Sequence, residues 1–355
     1  MPIVAFDAKL LKGGWRSYAT RFQTAANLYK RDPKWTTLCL NYAEPLFRRG
    51  LPVIYDTEHL ASLCGFSRHY LLRVVRKQDG HYRTWMMPKR TPGEFREIAE
   101  PLPALKSVQR WLHINLFGKL RLSKYAKGFV PRLSVLDHAR WHTKKPVVCT
   151  IDVKDFFPSI GTQRVAGLVR SLGYTNGISW VIARICTLND QLPQGAPTSP
   201  SIANVVASRL DARLFGLAKH CHLNYSRYAD DLAFSGREID RRFISATERI
   251  VSEEGFSINT KKTRVMHHWQ QQRVTGVVVN SGKRLARSDR RRIRQQIYYI
   301  RSYGIRNHLV HVGDGRSGTI AHLLGRVQWA LFIDPADDEM REYESYLRNL
   351  LAFDT

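Results

Sequence analysis

Apolar residues recur at spacings of three and four through the first part of the chain, which is typical of amphipathic helices. The spacing is clearest over residues 25–29, 38–46 and 60–75. Thr57 can cap one short helix that Gly65 ends, and Ser67 can cap the next one. We therefore predict a helical N-terminal extension over residues 1–75.

The pattern changes from helices to strands at about residue 82. Two β-prone runs, 82–87 and 95–98, are separated by a turn that contains Pro and Gly. This hairpin carries Lys89, Arg90 and Arg96 on both sides of its turn. Such cations suit a clamp on a phosphate chain, and a solvated basic hairpin is the alternative. An amphipathic helix is then predicted over residues 105–122.

Two later strand patterns lead into acidic residues. The apolar, β-branched run 147–151 is typical of a strand buried on both faces, and it ends at Asp152. Two further runs flank Asp230-Asp231 with no Gly or Pro between them, which predicts a tight antiparallel hairpin with acids at its tip. Taken alone, each acid could be a solvated turn residue or a helix cap. Helices together with antiparallel strands predict an α+β fold.

The three acids indicate metal chemistry if the fold brings them together. An ionised carboxylate is costly to bury unless it is paired or bound to a cation. Asp152, Asp230 and Asp231 would supply the carboxylates that two Mg²⁺ ions use alongside phosphate oxygens. Two such ions stabilise the attacking and leaving oxygens of a phosphoryl displacement, so the sequence favours nucleotidyl transfer.

The charge balance indicates the class of partner. Lys and Arg number 56 against 30 Asp and Glu, a net charge of +26 with a pI near 10.2. An excess of this size favours a polyanion, with nucleic acid ahead of an anionic membrane surface. We find no apolar run of spanning length and no signal-peptide pattern, and we expect a soluble, cytoplasmic protein. Five cysteines without a C-x-x-C pair predict neither a disulfide framework nor a zinc site.

Several ordered motifs together resemble those of reverse transcriptases. Asp152 to Phe157 is similar to the first acidic motif, Gln194-Gly195 to the second and Tyr228-Ala229-Asp230-Asp231 to the third. The resemblance extends to a Lys-bearing segment over residues 255–265 and to a fingers motif, in which Arg96 follows Lys89 by seven residues. It implies a right-hand polymerase with fingers, a palm built on an antiparallel sheet and a helical thumb.

The resemblance also implies roles for individual residues. Asp152, Asp230 and Asp231 would be the catalytic carboxylates and would bind two Mg²⁺ ions. Lys89 and Arg96 would hold the incoming dNTP, Gln194 would line its pocket, and Phe157 would exclude a ribose 2′-hydroxyl. Lys262 would protonate the leaving pyrophosphate, with Lys261 as the fallback.

One segment narrows the resemblance to retron reverse transcriptases. Val274-Thr275-Gly276 is similar to their VTG motif, and the resemblance implies that these three residues contact the nucleic acid. Ala139 and His142 match their N-A-x-x-H motif, but His138 stands in place of the Asn, which puts the RNA contact there in doubt. The resemblance implies that the partners are a structured noncoding RNA, used as template and primer, and its branched RNA–DNA product. It also implies a role in defence against phage with an effector protein, and leaves an oligomer open.

The C-terminal region resembles a thumb that grips RNA. Arg290, Arg291 and Arg294 lie among interleaved tyrosines, and cations with aromatics suit RNA phosphates and unpaired bases. We predict fingers and palm over residues 76–280 and the thumb over 281–355. Two alternatives remain: a group II intron-like or other bacterial reverse transcriptase, and an RNA-binding scaffold without catalysis.

Overall fold

The structure, a computed structural model, describes residues 14–89, 93–312 and 319–353. The chain forms two compact units from interleaved segments. The first holds the chain up to Ser123, then Lys154–Leu210 and Glu254–Ser257; the second holds Lys124–Val153, Asp211–Glu253 and the chain from Ile258 onward. The boundaries at residues 75 and 280 predicted from sequence run consecutively along the chain, and they stay a prediction.

The first unit begins with the predicted helices. They are α1 (Gly14–Leu28), α2 (Pro33–Arg48), α3 (Thr57–Cys64) and α4 (Arg68–Arg76). Gly65 ends α3 in the left-handed conformation and Ser67 caps α4, as predicted. The predicted cap Thr57 is wrong by one position, because Asp56 accepts the hydrogen bond from His59 N at 2.8 Å.

The predicted hairpin follows these helices. Strands β1 (Tyr82–Pro88) and β2 (Phe95–Pro101) pair antiparallel, with Pro88 opposite Phe95. Arg90, in the turn, lies outside the described residues. Helix α5 (Pro103–Asn115) is shorter than predicted, because a 3-10 turn replaces it from Phe117. The unit is completed by α7 (Thr162–Ser171), α8 (Asn176–Cys186) and α9 (Ser199–Val206).

The second unit is organised by a four-stranded sheet. Its order is β4 (Asn224–Tyr228), β5 (Asp231–Gly236), β3 (Val147–Lys154) and β6 (Ser257–His267), and β5 is antiparallel to both β4 and β3. The α+β prediction is confirmed, and β3 is a buried inner strand, as its apolar run predicted. Helices α6 (Val135–Arg140), α10 (Ser208–His220) and α11 (Arg241–Glu253) accompany the sheet.

In the residues that the structure describes, the rest of this unit is a small hairpin and three helices. They are β7 (Arg273–Val274), β8 (Val277–Val278), α12 (Arg287–Val312), α13 (Thr319–Ile333) and α14 (Asp338–Phe353). Ile293, Ile297, Leu323, Val327 and Leu347 form the centre of the helical core. Among the helices that the structure describes, none has both the length and the apolar character that crossing a membrane requires.

Candidate active site

Three carboxylates meet at one end of the sheet in the second unit. Asp152 on β3 is the direct register partner of Asp231 on β5. Tyr228 also pairs with Asp231, so Ala229 and Asp230 form a two-residue connection between β4 and β5. Val153 N donates a hydrogen bond of 2.9 Å to Asp230 O, which ties the connection to β3. The predicted hairpin, with acids at its tip, is thus confirmed.

The hairpin connection has an unfavourable backbone conformation. Ala229 has φ 55, a region that residues with a Cβ rarely adopt. Gly128 packs directly against it, since a Cβ at Gly128 would lie 2.6 Å from Ala229 N. The adjacent segment runs beside β4, with Arg227 N donating to Tyr125 O at 2.9 Å and Lys127 N to Arg227 O at 2.7 Å. The turn therefore needs a glycine beside it.

A buried ion pair also supports the turn. Arg227 and Asp211 are both fully buried, and Nε and Nη2 of the guanidinium donate to the two carboxylate oxygens at 2.7 and 2.9 Å. Arg227 Nη1 donates to Ala229 O at 3.0 Å, and Tyr225 Oη donates to Asp211 Oδ1 at 2.8 Å. Sequence reasoning missed this pair. The signal in the sequence was a charged Arg within a β-prone run, which a buried strand accommodates only with an acidic partner.

The electrostatics of the carboxylates are those of a crowded anionic site. The pKa of Asp231 is raised to about 7, first by burial and then by the charges of Asp230 and Asp152, while Lys262 opposes the rise. Lys262 Nζ lies 3.6 Å from Asp152 Oδ2. Successive residues of a strand face opposite sides, so Lys261 is directed away from the side that Lys262 faces. Among the two lysines, the structure brings Lys262 to the acids.

The donor set fits Mg²⁺, although it is not a closed metal cage. Within the described ranges, no three His, Cys, Asp or Glu side chains are grouped closely enough to hold an ion by themselves. Mg²⁺ characteristically takes one or two carboxylates and completes its shell with water and substrate phosphates. The mutual repulsion that raises the Asp231 pKa is also what a divalent cation would relieve. Asp152, Asp230 and Asp231 are therefore the residues that could hold it.

A second functional feature, within the first unit, is an open cavity of about 190 Å³ beside the β1–β2 hairpin. Lys89, Arg96 and Gln194 all line it, so the structure brings these three predicted residues together. Ala99 N donates to Gln194 O at 2.7 Å, and a Cβ at Gly195 would lie 3.0 Å from Ala99 O. The loop and the hairpin thus meet through a close backbone approach.

The two phenylalanines after the first acidic motif have different environments. Phe156 is buried and stacks on Phe256 with ring centroids 5.5 Å apart. Phe157 is half-buried and meets Phe156 in a T-shaped contact. Phe156 is thus the core residue of the pair, and the gate role of Phe157 stays a prediction.

His142 was expected to contact RNA, and the structure is at odds with a direct contact. Its side chain is fully buried, with Nδ1 2.8 Å from Ser235 Oγ and Nε2 2.8 Å from Ser226 Oγ. His138 Nδ1 lies 2.9 Å from the same Ser226 hydroxyl. Burial lowers the pKa of His142 to about 3, so the ring is neutral at physiological pH. The two histidines support β4 and β5 from inside.

The predicted VTG segment divides into a buried and an exposed part. Val274 packs in the core with Val277 and Val279, which is at odds with a direct RNA contact by its side chain. Thr275 and Gly276 connect β7 to β8, with φ values of 46 and 86. Both are half-buried, and their RNA contact stays a prediction.

The three predicted thumb arginines also differ. Arg290 binds both carboxylate oxygens of Asp337, at 2.5 and 2.8 Å, and it also contacts Glu339. Arg294 binds Glu339 as well, and these hydrogen bonds lower the pKa of Glu339 to about 2. Arg290 and Arg294 therefore join α12 to α14, whereas Arg291 is exposed.

Comparison with known proteins agrees with these motifs. Residues 87–279 match the family model described as reverse transcriptase (RNA-dependent DNA polymerase). The chain is 37% identical to the retron Mx65 reverse transcriptase of Myxococcus xanthus, over 87% of this chain and 80% of that relative. It is 34% identical to the retron Ec86 reverse transcriptase of Escherichia coli, over 80% of this chain and 87% of that relative.

Solved structures with some similarity include a foamy viral protease-reverse transcriptase in complex with double-stranded DNA. The TM-score is 0.43 at 16% identity, covering 78% of this chain and 41% of the viral one. A telomerase from Candida albicans gives a TM-score of 0.42 at 10% identity, covering 75% of this chain and 60% of the telomerase.

Proposed function

Because this chain belongs to the reverse transcriptases, as an RNA-directed DNA polymerase of the retron type, we propose that it copies a structured noncoding RNA into a branched RNA–DNA hybrid. In this proposal the RNA serves as both template and primer, and synthesis begins from one of its 2′-hydroxyls. The product takes part in defence against phage, with a separate effector protein. Synthesis of the hybrid takes place in the cytoplasm, where the template RNA is transcribed.

The observation that carries the proposed chemistry is the pairing of Asp152 with Asp231 beside the Asp230 turn. In our proposal, Asp152 and Asp230 hold two Mg²⁺ ions and Asp231 completes the carboxylate set. The ions would stabilise the attacking hydroxyl oxygen and the leaving phosphate oxygen during nucleotidyl transfer. The raised pKa of Asp231 supports this assignment, because strongly perturbed acids are concentrated at functional sites.

Other residues bind the incoming nucleotide and donate a proton to the leaving pyrophosphate. Lys89 and Arg96 neutralise the triphosphate of a dNTP, and the shared cavity of these cations with Gln194 supports that assignment. Lys262 is the proposed proton donor to pyrophosphate, since its ammonium group lies beside Asp152. Phe157 is the proposed gate that selects dNTPs over ribonucleotides.

The catalytic assignment is tested by Asp230→Asn. The variant keeps the size of the side chain but loses a charge that two cations need, so Mg²⁺-dependent DNA synthesis on an RNA template should fall at least about a hundredfold. Asp338→Asn, at an exposed acid of α14, is the matched control and should keep full activity. Unchanged synthesis by Asp230→Asn would rule out the assignment.

The retron assignment is tested separately, on the nucleic acid that copurifies with the protein. We expect a DNA strand covalently joined to RNA, which resists separation in denaturing gels until a debranching treatment removes the 2′ linkage. Linear DNA alone would favour a group II intron-like enzyme. RNA without DNA, from a protein that also lacks polymerase activity, would favour a scaffold.

A further inference from the structure

A loop at the end of β6 displays an exposed tryptophan that catalysis does not use. Trp269 is 70% exposed. Its indole lies parallel to the imidazole of His267, with centroids 4.5 Å apart and 3° between planes, and His268 meets it edge-on at 4.9 Å. A single exposed apolar residue is ordinary on a protein surface, so its meaning depends on how the loop is built.

The loop holds this indole in a fixed position. Gln270 N donates to His267 O at 2.9 Å, and His267 N donates to Gln270 Oε1 at 3.0 Å. Asn280 Nδ2 donates to two further carbonyl oxygens of the loop, those of His268 at 3.0 Å and Gln270 at 2.8 Å. An exposed aromatic ring on a braced loop loses little conformational entropy when it binds a partner.

The surroundings of the loop are basic. The fully buried Gln272 donates from Nε2 to Lys145 O at 2.9 Å and to Met266 O at 3.2 Å, and Lys144 N donates to Val279 O at 2.9 Å. The backbones of both lysines are thus held next to the loop: Lys145 bonds to Gln272, and Lys144 bonds to Val279, whose own N–H donates to Gln272 O at 3.0 Å. The sequence has no Asp or Glu from residue 138 to 151 or from 255 to 288, the two segments that meet here.

We propose that this surface, the Trp269 platform, binds an unpaired stretch of RNA. The platform consists of His267, His268, Trp269, Lys144 and Lys145. One base stacks on the indole and the lysines neutralise the flanking phosphates, as in proteins that combine aromatic stacking with a basic surface. The absence of acids from both segments favours a polyanion over a protein partner. The identification of that polyanion as RNA rests on the proposed function.

The platform is a site separate from the catalytic carboxylates. Lys262, which contacts Asp152, precedes His267 by five residues on the same strand. At about 3.3 Å per residue, this separation is roughly 16 Å along β6. A base bound at Trp269 is therefore too far from the catalytic carboxylates to take part in nucleotidyl transfer. The platform binds a part of the RNA that is not being copied.

The experiment measures binding of a labelled single-stranded oligoadenylate of about twelve nucleotides by fluorescence anisotropy. An unlabelled RNA–DNA hybrid duplex is present at saturation to occupy the polymerase site. Trp269→Ala should weaken binding about 5- to 150-fold, the equivalent of one stacked base. Trp269→Phe should retain most of the affinity. The matched control is Trp180→Ala, at a 46% exposed tryptophan of α8, which should bind like the wild type.

Two further measurements separate the possible outcomes. Lys144→Gln with Lys145→Gln should flatten the salt dependence of oligoadenylate binding. Trp269→Ala should leave DNA synthesis on oligo(dT)-primed poly(rA) intact. If the wild-type protein itself shows no DNA synthesis in this assay, the result counts against the proposed function and not against the platform. An unchanged affinity of Trp269→Ala for oligoadenylate, or an equal loss for blunt duplex RNA, would overturn the platform.

Discussion

Asp231→Asn should remove polymerase activity and yet stabilise the protein when no divalent cation is present. The folded protein holds the Asp231 carboxyl proton up to a pH of about 7, whereas the ordinary value is 3.8. The folded state thus binds more protons than the unfolded state between these values. The contribution of Asp231 to the free energy of unfolding must therefore fall as pH rises from about 4 to about 7, and that contribution is fully lost above this range.

The size of the effect follows from the same interval. Roughly three pH units, at 1.36 kcal/mol each, set an upper limit of about 4 kcal/mol. Asp231 is half-buried, and water screens part of the repulsion from Asp152 and Asp230. We expect Asp231→Asn to raise the free energy of unfolding by about 1–3 kcal/mol at pH 8 and by much less at pH 4.5.

The assay is urea unfolding with EDTA at both pH values, repeated with excess Mg²⁺ at pH 8. Because the cation relieves the repulsion in the wild type, Mg²⁺ should stabilise the wild type more than the variant and so reduce the difference. Asp338→Asn should show no pH-dependent change. A variant that is less stable than the wild type at pH 8 in EDTA would refute the reasoning, because Asp231 would then be a structural carboxylate.

Four other substitutions test the supports of the acidic hairpin and the arginines of α12. Gly128→Ala should lower both activity and stability, because its Cβ would press on the backbone of Ala229; a primer-extension assay and a thermal melt measure the two losses. Arg227→Met should destabilise the protein by about 3–5 kcal/mol, since it leaves a buried carboxylate unpaired, and the measurement is urea unfolding. Arg290→Ala should lower the melting temperature with little change in RNA affinity, whereas Arg291→Ala should lower the slope of RNA affinity against salt without changing stability.

The acidic hairpin could be predicted from the sequence because the residues that determine it are close together along the chain. An apolar run of β-branched residues specifies the buried strand β3, and two β-prone runs without Gly or Pro between them specify the tight connection before Asp231. The short helices around Gly65 were predictable for the same reason, since a left-handed glycine ends one of them.

What the sequence could not supply is the partner of a residue far along the chain. Arg290 and Arg294 have the spacing of an RNA-binding helix, but their acids lie more than forty positions away on α14. Histidine is a residue type that can contact RNA at a protein surface, and only the fold shows that His142 lies between the hydroxyls of Ser226 and Ser235. Motif matching marks such residues as important, but it does not distinguish a side chain that contacts RNA from one that supports the sheet.

The acidic end of the sheet is unfavourable in its own right, and the surrounding structure has to offset it. Three carboxylates repel one another there, and Ala229 adopts a backbone conformation that costs on the order of 1–3 kcal/mol. The supports all act on the turn from other elements: the buried Arg227 guanidinium binds its carbonyl, and Gly128 allows the neighbouring segment to approach its amide. A buried ion pair contributes little net stability compared with an apolar replacement, but its hydrogen bonds are directional. Arg227 with Asp211 therefore fixes where Asp230 and Asp231 stand more than it strengthens the fold.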